Sequence, residues 1–392
     1  MSVCNTIYIK FPLMDDVSMC EDYTSYLLGV SNDLKKPYLT DVIAYHFPNE
    51  THVYVIMSIY NVPVDRRAEE IHQNYSLIFD GVTYNTLLPV NSSYPYHSIM
   101  KYILPFPFNI RNGIKVEPFY GSFVVTIVNN VQHRVYSNVH VCLRNRIVRR
   151  NTTLCAYVSD YNSMDELRHW SAYHLMMHID KLVFYMGNNY FDLDRMMKNI
   201  TELGFLEIVN WVFPKNVLED GQPIQINHQY AQAASCFYRN KYASRYVLLF
   251  DTDEYMYINK THVEYDLLPY IELWNSEYPS VDAFRVKSNM MMRKRETWVP
   301  RDKYIREGKL FTFFNRILPE IYSGRIKLIL PSRFDGIMGL HDCTSCSMFI
   351  PPDDILRMAH YKVTYMRAHD VDNVMKLYAE PVLNMRRELF GE

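Results

Sequence analysis

The chain has 392 residues, enough for two or three domains around a large buried core. Its 41 Lys and Arg against 43 Asp and Glu leave a formal charge of −2, which argues against a general nucleic-acid binder. A hydrophobic share of 48% argues against disorder, and only 12 glycines argue against a collagen-like or glycine-rich repeat.

The N-terminal stretch MSVCNTIYIKFPLMDDVSMC carries two acidic residues and no long apolar core, so it does not read as a signal peptide. No run of about 18 apolar residues occurs, and no membrane span is expected. THVYVIMSIYNV (51–62), YSLIFDGVTY (75–84) and GSFVVTIVNNV (121–131) alternate apolar and polar positions, the period of half-buried strands. Pro48-Asn49, Asp80-Gly81 and Asn112-Gly113 supply the turns. Residues 1–148 are therefore expected to form an all-β, sandwich-like accessory domain. The basic stretch LRNRIVRRN (143–151) marks the boundary with a second domain, 149–392.

From there strands and helices alternate. TTLCAYVSD (152–160) reads as a strand. A helix follows over 163–179, where Ser163 stands three residues before Glu166 in capping-box spacing. KLVFYMGNN (181–189) is a strand and turn, and YFDLDRMMKNITELG is a helix closed by Gly204. FLEIVNW (205–211) is a strand, 226–243 is a helix, and RYVLLFDTDEY (245–255) is an apolar strand running into carboxylates. This order predicts an α/β domain with a mostly parallel sheet and helices on both faces. Ligands of such sheets bind beyond the carboxyl ends of the strands.

Asp251, Asp253 and Glu254 fall at that edge, within four residues. Three crowded carboxylates repel one another unless a cation or solvent intervenes. Their oxygens suit Mg²⁺ or Mn²⁺, which keeps coordination positions for substrate phosphate. The bland alternative is a solvated acidic turn. Cys343 and Cys346 form a lone C-x-x-C, open to a structural disulfide, inert thiols or a metal or redox role. Six Asn-x-Ser/Thr patterns, at Asn49, Asn74, Asn91, Asn151, Asn199 and Asn259, are compatible with a secretory lumen.

LCAYVSD (154–160), ELRHWSAYH (166–174), KLVFYM (181–186), QAASCFYRN (232–240), FDTDEY (250–255), KLILP (327–331), GLH (339–341) and AHYK (359–362) form an ordered set. In that order and spacing the chain resembles glycosyltransferase family 92, a group of GT-A fold enzymes. The resemblance implies an inverting transferase that moves a hexose, galactose in described members, from a UDP-sugar donor to a glycan acceptor with a divalent metal. It also implies a Golgi lumenal setting. With no signal or anchor visible, a cytoplasmic or viral setting stays open. Two departures stand out. The first strand leads into Ser159-Asp160 instead of Asn-Glu, and the terminal H-Y-R is His360-Tyr361-Lys362.

The resemblance makes Asp253 the first candidate for direct metal contact, with Asp251 binding through water or contacting the ribose. GT-A enzymes commonly add a histidine from near the C-terminus, here His360 or, alternatively, His341. Tyr157 is placed to stack on the base, Asp160 to hold the uracil edge and Lys327 to counter the diphosphate. An inverting mechanism needs a general base near the acceptor hydroxyl, and Asp342 and Glu296 are the candidates. Glu254 is expected to pair with a base or to support the site, and Gln232 and Arg239 to share one helix face, more in keeping with surface pairing. Two rival classes stay open. A metal-dependent phosphotransferase is disfavoured by the lack of a G-x-x-x-x-G-K loop. A non-catalytic carbohydrate-binding or adhesion protein is disfavoured by the intact Asp251, Asp253 and His360.

Overall fold

A computed structural model describes residues 7–10, 38–46, 52–60, 75–85, 88–89, 97–105, 121–130, 134–145, 150–159, 162–186, 193–211, 225–241, 243–259, 265–292, 301–313, 316–317, 326–334, 337–338, 343–344, 346–352, 354–361, 370–371 and 373–391. The chain divides into two compact units, one of residues 1–149, 211–243 and 337–339, the other of 150–210, 244–336 and 340–392.

The first unit holds β1 (Ile7–Lys10), β2 (Tyr38–His46), β3 (His52–Tyr60), β4 (Tyr75–Phe79), β5 (Val82–Asn85), β6 (Leu88–Pro89), β7 (His97–Pro105), β8 (Gly121–Asn129) and β9 (Arg134–Asn145). They pair in the order β5-β4-β8-β9-β2-β3-β7-β6, with β1 on β9. The path is one continuous ladder, but it folds back on itself: the Tyr102 hydroxyl on β7 donates to the Tyr75 carbonyl on β4 at 3.3 Å. Alternate residues of these strands, among them Val53, Val55 and Met57 on β3, pack into one core. Asp80 and Gly81, both at positive φ, make the tight turn between β4 and β5 that their sequence announces. Asn138 sits at φ 58 in β9 and takes up one extra residue opposite β8, pairing Val139 with Val125 and Tyr136 with Ile127. That bulge keeps Tyr136 and Val139 on the core side despite their odd spacing.

A helix, Gln225–Asn240, belongs to this unit. Arg239 and Ser235, four apart on one helix face, reach Asp41 on β2: Ser235 Oγ donates to Oδ2 at 2.6 Å and Arg239 Nε donates to the same oxygen at 2.9 Å. Arg239 Nη2 binds Oδ1, which also accepts the Val42 backbone N–H at 2.9 Å. All three side chains are buried. Arg239 is thus one half of an internal ion pair and not a surface residue, and Gln232 is buried as well.

The second unit is built on β10 (Arg150–Val158), β11 (Lys181–Met186), β12 (Leu206–Asn210), β13 (Ser244–Leu249), β14 (Glu254–Ile258), β15 (Ala283–Met292), β16 (Arg316–Ile317) and β17 (Ile326–Pro331). Farther on come β18 (Ile337–Met338, grouped with the first unit), β19 (Cys343–Thr344), β20 (Met348–Phe349), β21 (Leu356–His360) and β22 (Asp370–Val371). The main path runs β12-β11-β10-β13-β17-β15-β16-β22. The mostly parallel sheet expected from the sequence is corrected to a mixed one. Along the main path β12, β11, β10 and β13 run parallel, whereas β17, β15 and β16 join by antiparallel pairing; off that path, β20 and β21 each pair in parallel with β15. A parallel neighbour needs a crossover, usually helical, and the β-α alternation stops at β13, which passes into β14 through a turn.

The helix α1 (Met164–Met176) starts with the expected capping box: Ser163 Oγ accepts from the Glu166 N–H and Glu166 Oε2 accepts from the Ser163 N–H, both at 3.2 Å. The single helix read over 190–204 is two short ones, α2 (Leu193–Met196) and α3 (Lys198–Glu202), closed by Gly204 in the left-handed region. We number the Gln225–Asn240 helix α4. Cys343 and Cys346 are joined by a disulfide, one of the readings open for the C-x-x-C. Among the described residues no helix is long and apolar enough to cross a membrane.

His174 on α1 lies fully buried against Trp170, Tyr173, Phe250 and Tyr255. Burial holds its pKa down at about 3, although Nδ1 lies 2.9 Å from the Trp170 carbonyl. The unfolded chain therefore takes up this proton first. The stability that neutral His174 preserves is complete above about pH 6.5 and is lost as the pH falls toward 3. Between pH 7 and about 4.5 this group alone is expected to cost about 2–3 kcal/mol of stability. In urea denaturation, His174→Gln should lack that share of the acid dependence.

Candidate functional site

The apolar run continues from β13 through β14, yet the strand breaks between them. Glu254 bends back so that its Oε2 accepts the Asp251 backbone N–H at 2.8 Å, while the Glu254 N–H donates to the Asp251 carbonyl at 3.1 Å. This reciprocal pair closes a turn over 251–254 at the carboxyl end of β13. Three contacts from α1 and the loop before it secure the turn and the start of β14. The Asn162 amide donates to Thr252 Oγ1 at 2.7 Å, the Trp170 indole N–H to the Glu254 carbonyl at 3.0 Å, and the Tyr173 hydroxyl to the Met256 carbonyl at 2.8 Å. β14 then pairs with β21, placing Glu254 opposite His360, and the Tyr361 N–H donates to the Asp253 carbonyl at 2.8 Å.

Five side chains converge there. Lys327 of β17, with its side chain 3% exposed, donates from Nζ to Asp251 Oδ2 at 2.7 Å and lies 3.0 Å from Glu254 Oε2. His360 Nε2 lies 3.3 Å from Asp253 Oδ2, and its Nδ1 lies 3.5 Å from Glu254 Oε1. Glu254 is fully buried and His360 is 2% exposed, whereas Asp251 and Asp253 open outward at 35% and 22%. Burial raises the Glu254 pKa, with Lys327 opposing the shift. Burial also disfavours charge on Lys327 and on His360. Asp251 and Glu254 outweigh this for the lysine, and Asp253 foremost for the histidine, so both pKa values stand above their ordinary ones.

Among the described residues, no group of three or more His, Cys, Asp or Glu is arranged to hold a metal ion. The geometry explains why. Asp251 and Glu254 turn to Lys327, leaving Asp253 and His360 as a pair. That pair does fit a divalent ion. Two neighbouring ligands of an octahedral ion at about 2.1 Å stand about 3.0 Å apart, close to the 3.3 Å between Oδ2 and Nε2. An oxygen and an imidazole nitrogen are both suitable donors for Mn²⁺.

The sequence candidates thus separate. Asp251, Asp253, Lys327 and His360 come together with Glu254. Tyr157 is buried at the end of β10, in register with Tyr185. Asp160, Glu296, His341 and Asp342 lie outside the described residues. Asn162, Trp170 and Tyr173 carry the turn without having been singled out. The spacing of Trp170 and Tyr173 on one helix face was visible, but their targets are carbonyls more than 80 residues away.

One family comparison bears on the class of this site. Residues 150–322 match the family model Glycosyltransferase family 92. The match supports membership of that family and, with it, glycosyltransferase activity. It includes the turn Asp251–Glu254 and stops short of Lys327 and His360. No curated protein matches the chain.

Proposed function

We propose that this family 92 chain is an inverting hexosyltransferase using a UDP-sugar, UDP-galactose first among them, and a glycan acceptor on a GT-A scaffold. The observation that carries the reading is the Asp253–His360 pair beside an outward-facing Asp251 at the end of a parallel strand. Asp253 and His360 would hold the cation, with His341 the alternative histidine. Asp251 would face the donor, at the ribose or, through water, at the metal. Tyr157 and Asp160 belong to the uracil end. Asp342 or Glu296 takes the acceptor proton as the hydroxyl oxygen attacks the anomeric carbon. When bound, Mn²⁺ or Mg²⁺ would supply charge neutralisation for the departing diphosphate. Lys327, with both near carboxylates already on it, serves as an internal counter-ion and not as a diphosphate contact. The family resemblance and the six glycosylation patterns favour a secretory, Golgi-type lumen. Residues 1–148 act as the accessory domain of the 149–392 transferase.

Two protein ligands alone would hold an ion weakly, so binding of the ion would depend on phosphate oxygens from the donor. UDP and Mn²⁺ together are therefore expected to raise the melting temperature by more than the sum of their separate shifts. Asp253→Ala should abolish the excess. Purely additive shifts in the wild-type protein contradict the reading.

A further inference from the structure

The metal-facing pair leaves two buried atoms to account for. Glu254 Oε1 and His360 Nδ1 are both shielded from solvent and neither has a hydrogen-bond partner among the described residues. They face each other at 3.5 Å, across the β14–β21 register that sets Glu254 opposite His360. A buried donor or acceptor left unmade costs about 1–3 kcal/mol, so a slight closing of this gap is favoured. Glu254 cannot turn elsewhere. Its other oxygen is held by the Asp251 N–H at 2.8 Å and by Lys327 Nζ at 3.0 Å.

We propose that Glu254, anchored by Lys327, is a positioning residue that accepts the Nδ1–H of His360 and so fixes the ring with an unprotonated Nε2 turned toward Asp253. This rests on the metal reading above and adds to it the group that selects the tautomer. A histidine that binds a metal through one nitrogen characteristically gives its other N–H to a carboxylate or carbonyl, which fixes ring and tautomer. Lys327 has a part in this. Its charge keeps a carboxylate tolerable in a fully buried position. It also holds Asp251 aside, at 2.7 Å, so that Asp251 does not compete for His360. The sequence pattern D-x-D-E thus divides its labour. Asp251 and Asp253 face outward, and Glu254 faces the histidine from behind.

The test needs no turnover. In ¹⁵N-histidine-labelled protein with Mg²⁺ and UDP bound, the His360 signals, assigned by their loss in His360→Gln, should report the Nδ1–H tautomer. Glu254→Gln keeps the shape, but its amide cannot present an oxygen at both ends of the group. This variant should shift the ring toward Nε2–H and weaken Mn²⁺ binding, read by electron paramagnetic resonance with UDP present, by about 10–100-fold. An Nε2–H tautomer in the wild-type protein overturns the proposal, and that readout stands even if Glu254→Gln fails to fold. So does a folded Glu254→Gln with unchanged Mn²⁺ affinity. Failure of the wild-type protein to bind Mn²⁺ at all would instead strike the metal reading and, with it, this proposal.

Discussion

Asp253→Asn should lower sugar transfer by about 10²–10³-fold while leaving the fold intact. Asp253 is 22% exposed, and the Tyr361 N–H that its residue binds is taken by the backbone carbonyl, which the substitution leaves in place. An amide removes the negative charge that a divalent ion would meet and offers one oxygen in place of two. His360→Ala should lower transfer by a similar factor. Asp251→Asn should cost less, because Lys327 already claims one of its oxygens at 2.7 Å. Initial rates of transfer or of donor hydrolysis at saturating Mn²⁺ give the comparison. A ranking with Asp251 far above Asp253 would mean that the roles of the two carboxylates are reversed.

The second large effect lies in the other unit and concerns stability. Arg239→Met should destabilise the protein by about 3–5 kcal/mol, because it strands the Asp41 carboxylate in the interior. Ser235 and the Val42 N–H still reach that carboxylate, but neither carries charge. The double variant Asp41→Leu with Arg239→Met removes the stranded charge and is expected to recover most of the loss. Urea denaturation of the three variants against the parent measures the coupling. Equal losses for the single and double variants would mean that packing, not charge pairing, holds α4 on β2.

What the sequence made legible follows from range. The capping box at Ser163 and Glu166 and the Asp80-Gly81 turn are written within four residues, and both are found. The parallel strands β10 to β13 were legible because apolar runs alternate with helical periods. The end of β13 was not, since RYVLLFDTDEYMY is apolar on both sides of the break and periodicity alone cannot mark it. The break is made by a Glu254 side chain folding back onto the Asp251 N–H, a bond that exists only in the turn itself. The partners of the carboxylates come from β17 and β21, and register across strands far apart in sequence is not readable from one chain. The Asp41–Arg239 pair shows this most plainly. One Asp in a strand and one Arg in a helix, 198 residues apart, look like surface charges until the fold buries them together.

The account turns on a divalent ion held by one carboxylate and one imidazole at the end of β13. Electron spin-echo spectroscopy of the Mn²⁺–UDP complex tests this directly. A ¹⁴N coupling from a directly bound imidazole that disappears in His360→Gln is the result expected. A Mn²⁺ spectrum with no nitrogen coupling, or one unchanged by that substitution, would contradict it.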